Sequence, residues 1–402
     1  MKMLAQHGAL CGDKITDALE LGYVDGAIFS PRDISVRKLE EQLNKLAEVK
    51  PESERLVDPQ FYASGLVDDD SSRLGFLAGD DYPYFEMRRL AQLETEAQIQ
   101  EDLTNTLQFQ QRLNISTAIA PNIVIRRSLS SAESVIAKNF IRNTAASWAN
   151  FNDVRPIFAT LSISVEALMD LDEFLSFVND LTVITPRPHG FYLLVSLSKV
   201  EDARYALMDP RVISRVMFLV HALSINGYEV VVGYSDLLSP LYGAVGARAG
   251  ASGWWSNTRV FSLERFEPEK HSSSRPIPRY LSLPLWNRIK FGELAQLVTL
   301  GHPVLNQIES DRYFDSSQGF APITNGETFQ GWSALKELTK YLVADNDLQG
   351  NLTRISAQIK TAQNFYRTIN VRLDPKSSSE HLEPMLQSLP QFATLAEEDF
   401  PG

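Results

Sequence analysis

Short apolar runs alternate along this chain with longer stretches whose apolar residues recur every three or four positions. The first pattern predicts strands and the second amphipathic helices. "GAIFSPRD" (26–33) precedes the helical "VRKLEEQLNKLAEV", with Ser35 between them as an N-cap type. "RLVDPQFY" (55–62) leads into a polar insertion and then a helical pattern from about Phe85 to Leu113. "TAIAPNIVI" (117–125), "PIFATLSIS" (156–164) and "GFYLLVSLS" (190–198) each precede a helical stretch. "YEVVVGYSD" (228–236) precedes the short "LLSPLYGAVGA", and "AGASGWW" (249–255) and "RYLSLPLW" (279–286) complete the series.

Eight strands, most separated by helices, predict a parallel sheet. The count, and the absence of a glycine-rich fingerprint after the first run, favour a closed (β/α)8 TIM-like parallel barrel over an open doubly wound sheet. The period stops near residue 300. A Gly-, Ser- and Asn-rich segment follows, and then two helical patterns, "GWSALKELTKYLVADN" and "LTRISAQIKTAQNFYRTIN". The expected division is a barrel over 1–300 and a loop and helical appendage over 301–402 that packs on it.

In a parallel barrel all strand C-termini share one end, and the residues just beyond them converge there. That explains why an apolar run such as "YEVVVG" breaks into Tyr234, Ser235 and Asp236. The same position selects Arg32 and Asp33, Asp58, Gln60 and Tyr62, Asn122, Trp254 and Arg259. Asp33, Asp58 and Asp236 are the catalytic candidates, because carboxylates sharing a walled site split into acid and base. Each also has a plainer reading: Asp33 and Asp236 as helix caps, and Asp58, before Pro59, as a turn residue. Arg32 and Arg259 suit an anion, with Arg259 expected beside Asp236. Trp254, Tyr62 and Tyr234 suit stacking on a ring, and Gln60, Asn122 and Ser235 suit hydrogen bonding to a substrate.

Composition narrows the partners. The 402 residues carry a net charge of −12, which opposes general nucleic-acid binding. Cys11 is the single cysteine, so no internal disulfide and no cysteine-rich zinc site is expected. No apolar run reaches the length of a membrane span, and the N-terminal run is too short for a signal peptide. A cytoplasmic protein without metal or other cofactor is expected. The sequence holds no HExxH, P-loop or Ca-loop motif, and the glycines of 243–253 fit neither phosphate-binding fingerprint.

A barrel with aspartates at its strand ends resembles, at the level of the fold, the tRNA-guanine transglycosylase barrels. The resemblance implies exchange of a nucleobase using aspartates at the barrel mouth. Those barrels hold a cysteine-rich zinc site, and this chain has only Cys11. The functional expectation is a hydrolase or transferase acting on a glycosidic or N-glycosidic bond of an anionic, nucleotide-like small molecule. The alternative is a non-catalytic adaptor or sensor that meets a protein partner through the helical appendage.

Overall fold

Eight parallel strands follow one another around a nearly closed barrel. The computed structural model of the chain describes residues 1–66, 73–197, 208–267, 277–315, 321–322, 325–344 and 347–400. The strands are β1 (Lys2–Gln6), β2 (Gly26–Phe29), β3 (Glu54–Val57), β4 (Ala118–Ile119, resuming at Val124–Ile125), β5 (Ile157–Ser164), β6 (Gly190–Leu197), β7 (Glu229–Val232) and β8 (Ala249–Ser252). Neighbours pair in sequence order, and β8 returns to β1 with Lys2 opposite Ala249. Helices α1 (Lys14–Glu20), α2 (Val36–Val49), α3 (Glu96–Gln111), α4 (Ala132–Ala149), α5 (Leu171–Thr182), α6 (Pro210–Ile225) and the short α7 (Ser239–Ala244) connect the strands. The barrel class read from the sequence is the one observed.

One strand differs from the expectation. The eighth apolar run does not enter the barrel. Arg279–Ser282 (β9) pairs antiparallel with Asn287–Lys290 (β10) in a separate hairpin. Its place in the count is taken by β1, whose Met3, Leu4 and Ala5 are buried between β2 and β8. A five-residue run with Lys2 and Gln6 at its ends is too short to stand out by hydrophobicity. Alternation alone also does not separate a barrel strand from a hairpin strand.

The remaining gap lies between β3 and β4, which share no ladder. The Ser116 N–H donates to the Arg55 carbonyl at 2.9 Å, and the Arg55 N–H donates to Ser116 Oγ at 2.9 Å. Further along β4, the side chain of Gln110 on α3 takes the role of a neighbouring strand. Its Nε2 donates to the Ile119 carbonyl and its Oε1 accepts from the Ile119 N–H. β4 is broken by Pro121 and Asn122, and the Asn122 amide repairs the break by bonding Thr160 O, Ala137 O and the Ile123 N–H.

The interior face follows from one bond. Tyr192 on β6 donates to Asp58, just past β3, at 3.2 Å. Those strands are not neighbours, so the bond crosses the inside of the barrel. Register then assigns the other strands, because paired residues share a face and alternate residues do not. Leu4, Ile28, Leu56, Phe158 and Val231 line the interior, and above them stand Gln6, Ser30, Asp58, Ser162 and Leu194. Leu56 is therefore the interior residue of β3, and Val57 faces the other way. The interior changes from large apolar to mostly polar towards the C-terminal end.

Among the described residues no α-helix follows β8 before the hairpin. The outer faces of β8 and β1 are covered from the C-terminal part of the chain instead. Helix α8 (Phe291–Thr299) follows the hairpin, and α9 (Gly326–Leu342) packs on β1, β9 and α7. Met3 packs with Leu281, Ala334 and Leu335, and Trp332 Nε1 donates to the Ser252 carbonyl at 2.7 Å. Helices α10 (Leu348–Thr368) and α11 (Leu382–Ala396) pack together, and α11 lies on α6. No helix of the described residues is long and apolar enough to cross a membrane.

Candidate functional site

After β8 the chain crosses the C-terminal end of the barrel. Phe261 and Ser262 pair in parallel with Ser196 and Leu197 of β6, and Arg265 follows in a 3-10 turn over Leu263–Phe266. Arg265 is 4% exposed. Its Nη2 donates to Asp33 Oδ2 at 2.7 Å and its Nη1 to the Tyr234 hydroxyl at 2.7 Å. The guanidinium carbon lies 5.9 Å from the Tyr234 ring centre and 5.4 Å from that of Phe266. A guanidinium so enclosed has exchanged its hydration for fixed partners.

Asp33 also accepts from Arg32 Nη1 at 2.6 Å and from Ser30 Oγ at 3.0 Å. Gln60, in the left-handed region at φ 53°, ties the β2 and β3 ends together. Its Nε2 donates to Ser30 Oγ at 2.7 Å and its Oε1 accepts from the Arg32 N–H at 2.9 Å.

Asp58 sits beneath this lid with no exposed surface. Its Oδ2 accepts from Tyr62 at 2.8 Å and Tyr192 at 3.2 Å, and its Oδ1 from the Gln60 N–H at 3.0 Å. Burial pushes this carboxyl up to about 6, against the pull of the two hydroxyls, the amide and the Arg265 charge. It can therefore take up or release a proton near neutrality. His7, beyond β1, is buried between Phe29 and Trp254, with ring centres 5.4 and 5.9 Å away. Burial brings it down to about 4, so it is neutral at pH 7.

A second buried charge cluster surrounds Asp236. Arg288 of the hairpin donates to its two oxygens at 2.7 and 3.3 Å, and Ser252 Oγ donates at 2.6 Å. Burial would raise the Asp236 carboxyl, and the Arg288 charge and hydrogen bonds hold it below its ordinary range. Arg259 belongs to this cluster too. It donates to the Gly253 and Trp254 carbonyls and, at 3.2 Å, to Glu327 of α9. Tyr234 and Asp236 both have positive φ, 54° and 36°, so the backbone turns sharply where β7 ends. The cluster fastens the hairpin and α9 to the barrel.

The structure brings Arg32, Asp33, Asp58, Gln60, Tyr62 and Tyr234 into one cluster and places Asp236 and Arg259 in the other. Asn122 is occupied in repairing β4. Ser235 bonds Ser239 Oγ at 2.7 Å and accepts from the Ala251 N–H at 3.1 Å. Trp254 donates to the Ala9 carbonyl at 2.9 Å and packs edge-on against Trp332. Sequence reading missed Gln6 and His7 because β1 was not recognised, although "MLAQH" repeats the signature of an apolar run ending in polar residues. It missed Tyr192, which lies within an apolar run, and Arg265 and Arg288, for which nothing local is diagnostic. Among the described residues no three His, Cys, Asp or Glu side chains are placed to hold a metal ion.

No family model and no curated protein matches the chain. Solved structures similar in fold include the N-acetylneuraminate lyase of Proteus mirabilis, 12% identical, with 98% of each chain covered and a TM-score of 0.29. The dihydrodipicolinate synthase of Oceanobacillus iheyensis is 10% identical, with 97% of this chain and 95% of that one covered and a TM-score of 0.25. Scores this low carry no mechanism across. The expectation of glycosidic or N-glycosidic hydrolysis or transfer is corrected by the surroundings of the three carboxylates. Asp33 is bound by two arginines, Asp58 by two tyrosines and Asp236 by Arg288, rather than any two facing each other across an open cleft.

Proposed function

We propose that the chain is an enzyme acting on a small polar molecule at the C-terminal end of its barrel, with Asp58 as the group that transfers a proton. The observation supporting this is a wholly buried carboxyl at a strand end, held through one oxygen by two tyrosine hydroxyls, Tyr62 from the 3-10 turn after β3 and Tyr192 from β6. A group titrating near neutrality exchanges protons with a substrate in both directions with little driving force lost. Tyr62 and Tyr192 fix its orientation. Arg265, held by Asp33, supplies a positive charge that does not need to reorganise when negative charge develops nearby. Asp33 and Asp236 do not cap the helices that follow them, and their side chains are 4% and 13% exposed in ion pairs with arginines, which favours this reading over the adaptor alternative.

The test is deuterium incorporation from D2O into a panel of small carbonyl and carboxylic compounds, followed by NMR between pH 5 and 8. The wild type should exchange at least one compound, Asp58→Asn should abolish the exchange, and Tyr62→Phe should slow it by roughly 10- to 100-fold. A folded wild type that exchanges none of them, or an Asp58→Asn variant as fast as wild type, defeats the reading.

A further inference from the structure

The upper interior of the barrel contains polar atoms that nothing in the protein satisfies. Gln6 is fully buried; its Oε1 has no hydrogen-bond partner, and its Nε2 faces the Tyr192 hydroxyl without closing a well-formed bond. Its amide still lies close enough to the Tyr192 hydroxyl to favour that group's ionised form, although burial dominates and keeps Tyr192 protonated. Ser162, 1% exposed and in register with Leu194, leaves its Oγ unpaired on the same interior face. Arg265, above them, leaves its Nε unpaired. Its charge is felt at Asp58 and Tyr62. Buried polar atoms are paired in nearly all native proteins, so three such residues towards one end of the barrel call for an occupant.

The chemistry of the unpaired atoms describes that occupant. The Gln6 amide offers one N–H beyond the one turned to Tyr192, Arg265 one, and Ser162 a hydroxyl. Against these, the Gln6 carbonyl is the one unpaired atom here that only accepts. Donors are in surplus, which calls for oxygen lone pairs. Charge points the same way. Among the described residues Arg32 and Arg265 both pair with Asp33 alone, so these groups carry a positive excess whenever Asp58 holds its proton. A neutral sugar or an amine would match neither count. We propose that the ligand of this site carries a small oxyanion, a carboxylate of few heavy atoms, bound between the Gln6 amide, the Ser162 hydroxyl and Arg265 Nε. This rests on the proposal that the barrel interior is the working site, and it adds the class of molecule that enters it.

The experiment compares acetate and inorganic phosphate with the neutral isostere acetamide, at pH 6 and constant ionic strength, by calorimetry and thermal unfolding. Acetate should bind and raise the melting temperature, and acetamide should do neither. Gln6→Leu and Ser162→Ala each should weaken acetate at least tenfold, and Arg265→Lys should do the same if it folds. Gln6→Leu also separates this from a purely structural role. Replacing an unsatisfied core amide by an isosteric apolar group should not destabilise the free protein, so lost binding in a variant as stable as wild type reports the ligand contact. Equal responses to acetate and acetamide, or acetate binding unchanged in Gln6→Leu and Ser162→Ala, overturn the inference and leave the unpaired atoms to buried water. Proton exchange that depends on Asp58 without any response to acetate sinks only this ligand class. Acetate binding without exchange sinks only the proposed chemistry.

Discussion

At the scale of the residue, Asp58 is the group whose environment is most at odds with its chemistry. Burial raises it from 3.8 to about 6, which corresponds to about 3 kcal/mol. The folded chain binds this proton more tightly than the unfolded chain. The stabilisation is therefore complete below about pH 4 and is lost as pH rises through about 6. Asp58→Asn removes the titration and is close to isosteric. Urea unfolding should find the variant gaining on wild type by about 2–3 kcal/mol between pH 4.5 and pH 8. A difference that stays flat with pH would mean that Asp58 ionises as freely folded as unfolded. Residues of this kind were partly legible in the sequence. Asp33 and Asp58 announced themselves by following apolar runs, as did Asp236, but nothing announced that Arg265 would serve the first pair and Arg288 the third. Those partnerships link loops and hairpins across the barrel end, and no local period encodes them.

At the scale of the element, the weak point of the barrel is the seam between β3 and β4. Gln110 supplies a side-chain substitute for the missing ladder at Ile119. Gln110→Leu would keep the bulk and leave a buried N–H and a buried carbonyl unpaired, at about 1–3 kcal/mol each. The expected loss is about 2–5 kcal/mol in chemical denaturation, with faster amide exchange at Ile119 as the local sign. Unchanged exchange at Ile119 would show that another group takes over the pairing. Elements were the most legible scale, since seven of the eight barrel strands stand where the apolar runs placed them. The eighth was misread for a physical reason. "RYLSLPLW" has the composition of a strand, and strand composition reports half-buried surface rather than which sheet the strand joins. The "KMLAQ" strand carries too few apolar residues to signal alone and is made a strand by neighbours on both sides.

At the scale of the whole molecule, the C-terminal helices stand where, among the described residues, the barrel has no helix of its own. Trp332, Leu335, Leu338 and Leu342 of α9 are all at most 2% exposed. Complete burial of such side chains contributes about 1.5–3 kcal/mol each. Their removal would therefore cost on the order of 6–12 kcal/mol, comparable to the 5–15 kcal/mol that holds a typical domain together. A chain cut after residue 325 is expected to lose its cooperative thermal transition in calorimetry. A sharp transition at the wild-type temperature would establish the first 325 residues as an independent unit. The sequence made these helices visible, but which strands they cover depends on packing between distant parts of the chain, which no local period encodes.

The ladder between Lys2 and Ala249 also has a meaning in time. The first of the barrel strands to leave the ribosome is the one that must wait longest for its second neighbour. At about 5–20 residues per second, β8 emerges on the order of 12–50 s after β1. The helix that covers both comes later still. Throughout that interval one edge of β1, with Met3, Leu4 and Ala5 on it, has no strand to pair with. During synthesis the nascent chain therefore offers an apolar strand edge to chaperones, or to its neighbours on the same message, until the barrel closes.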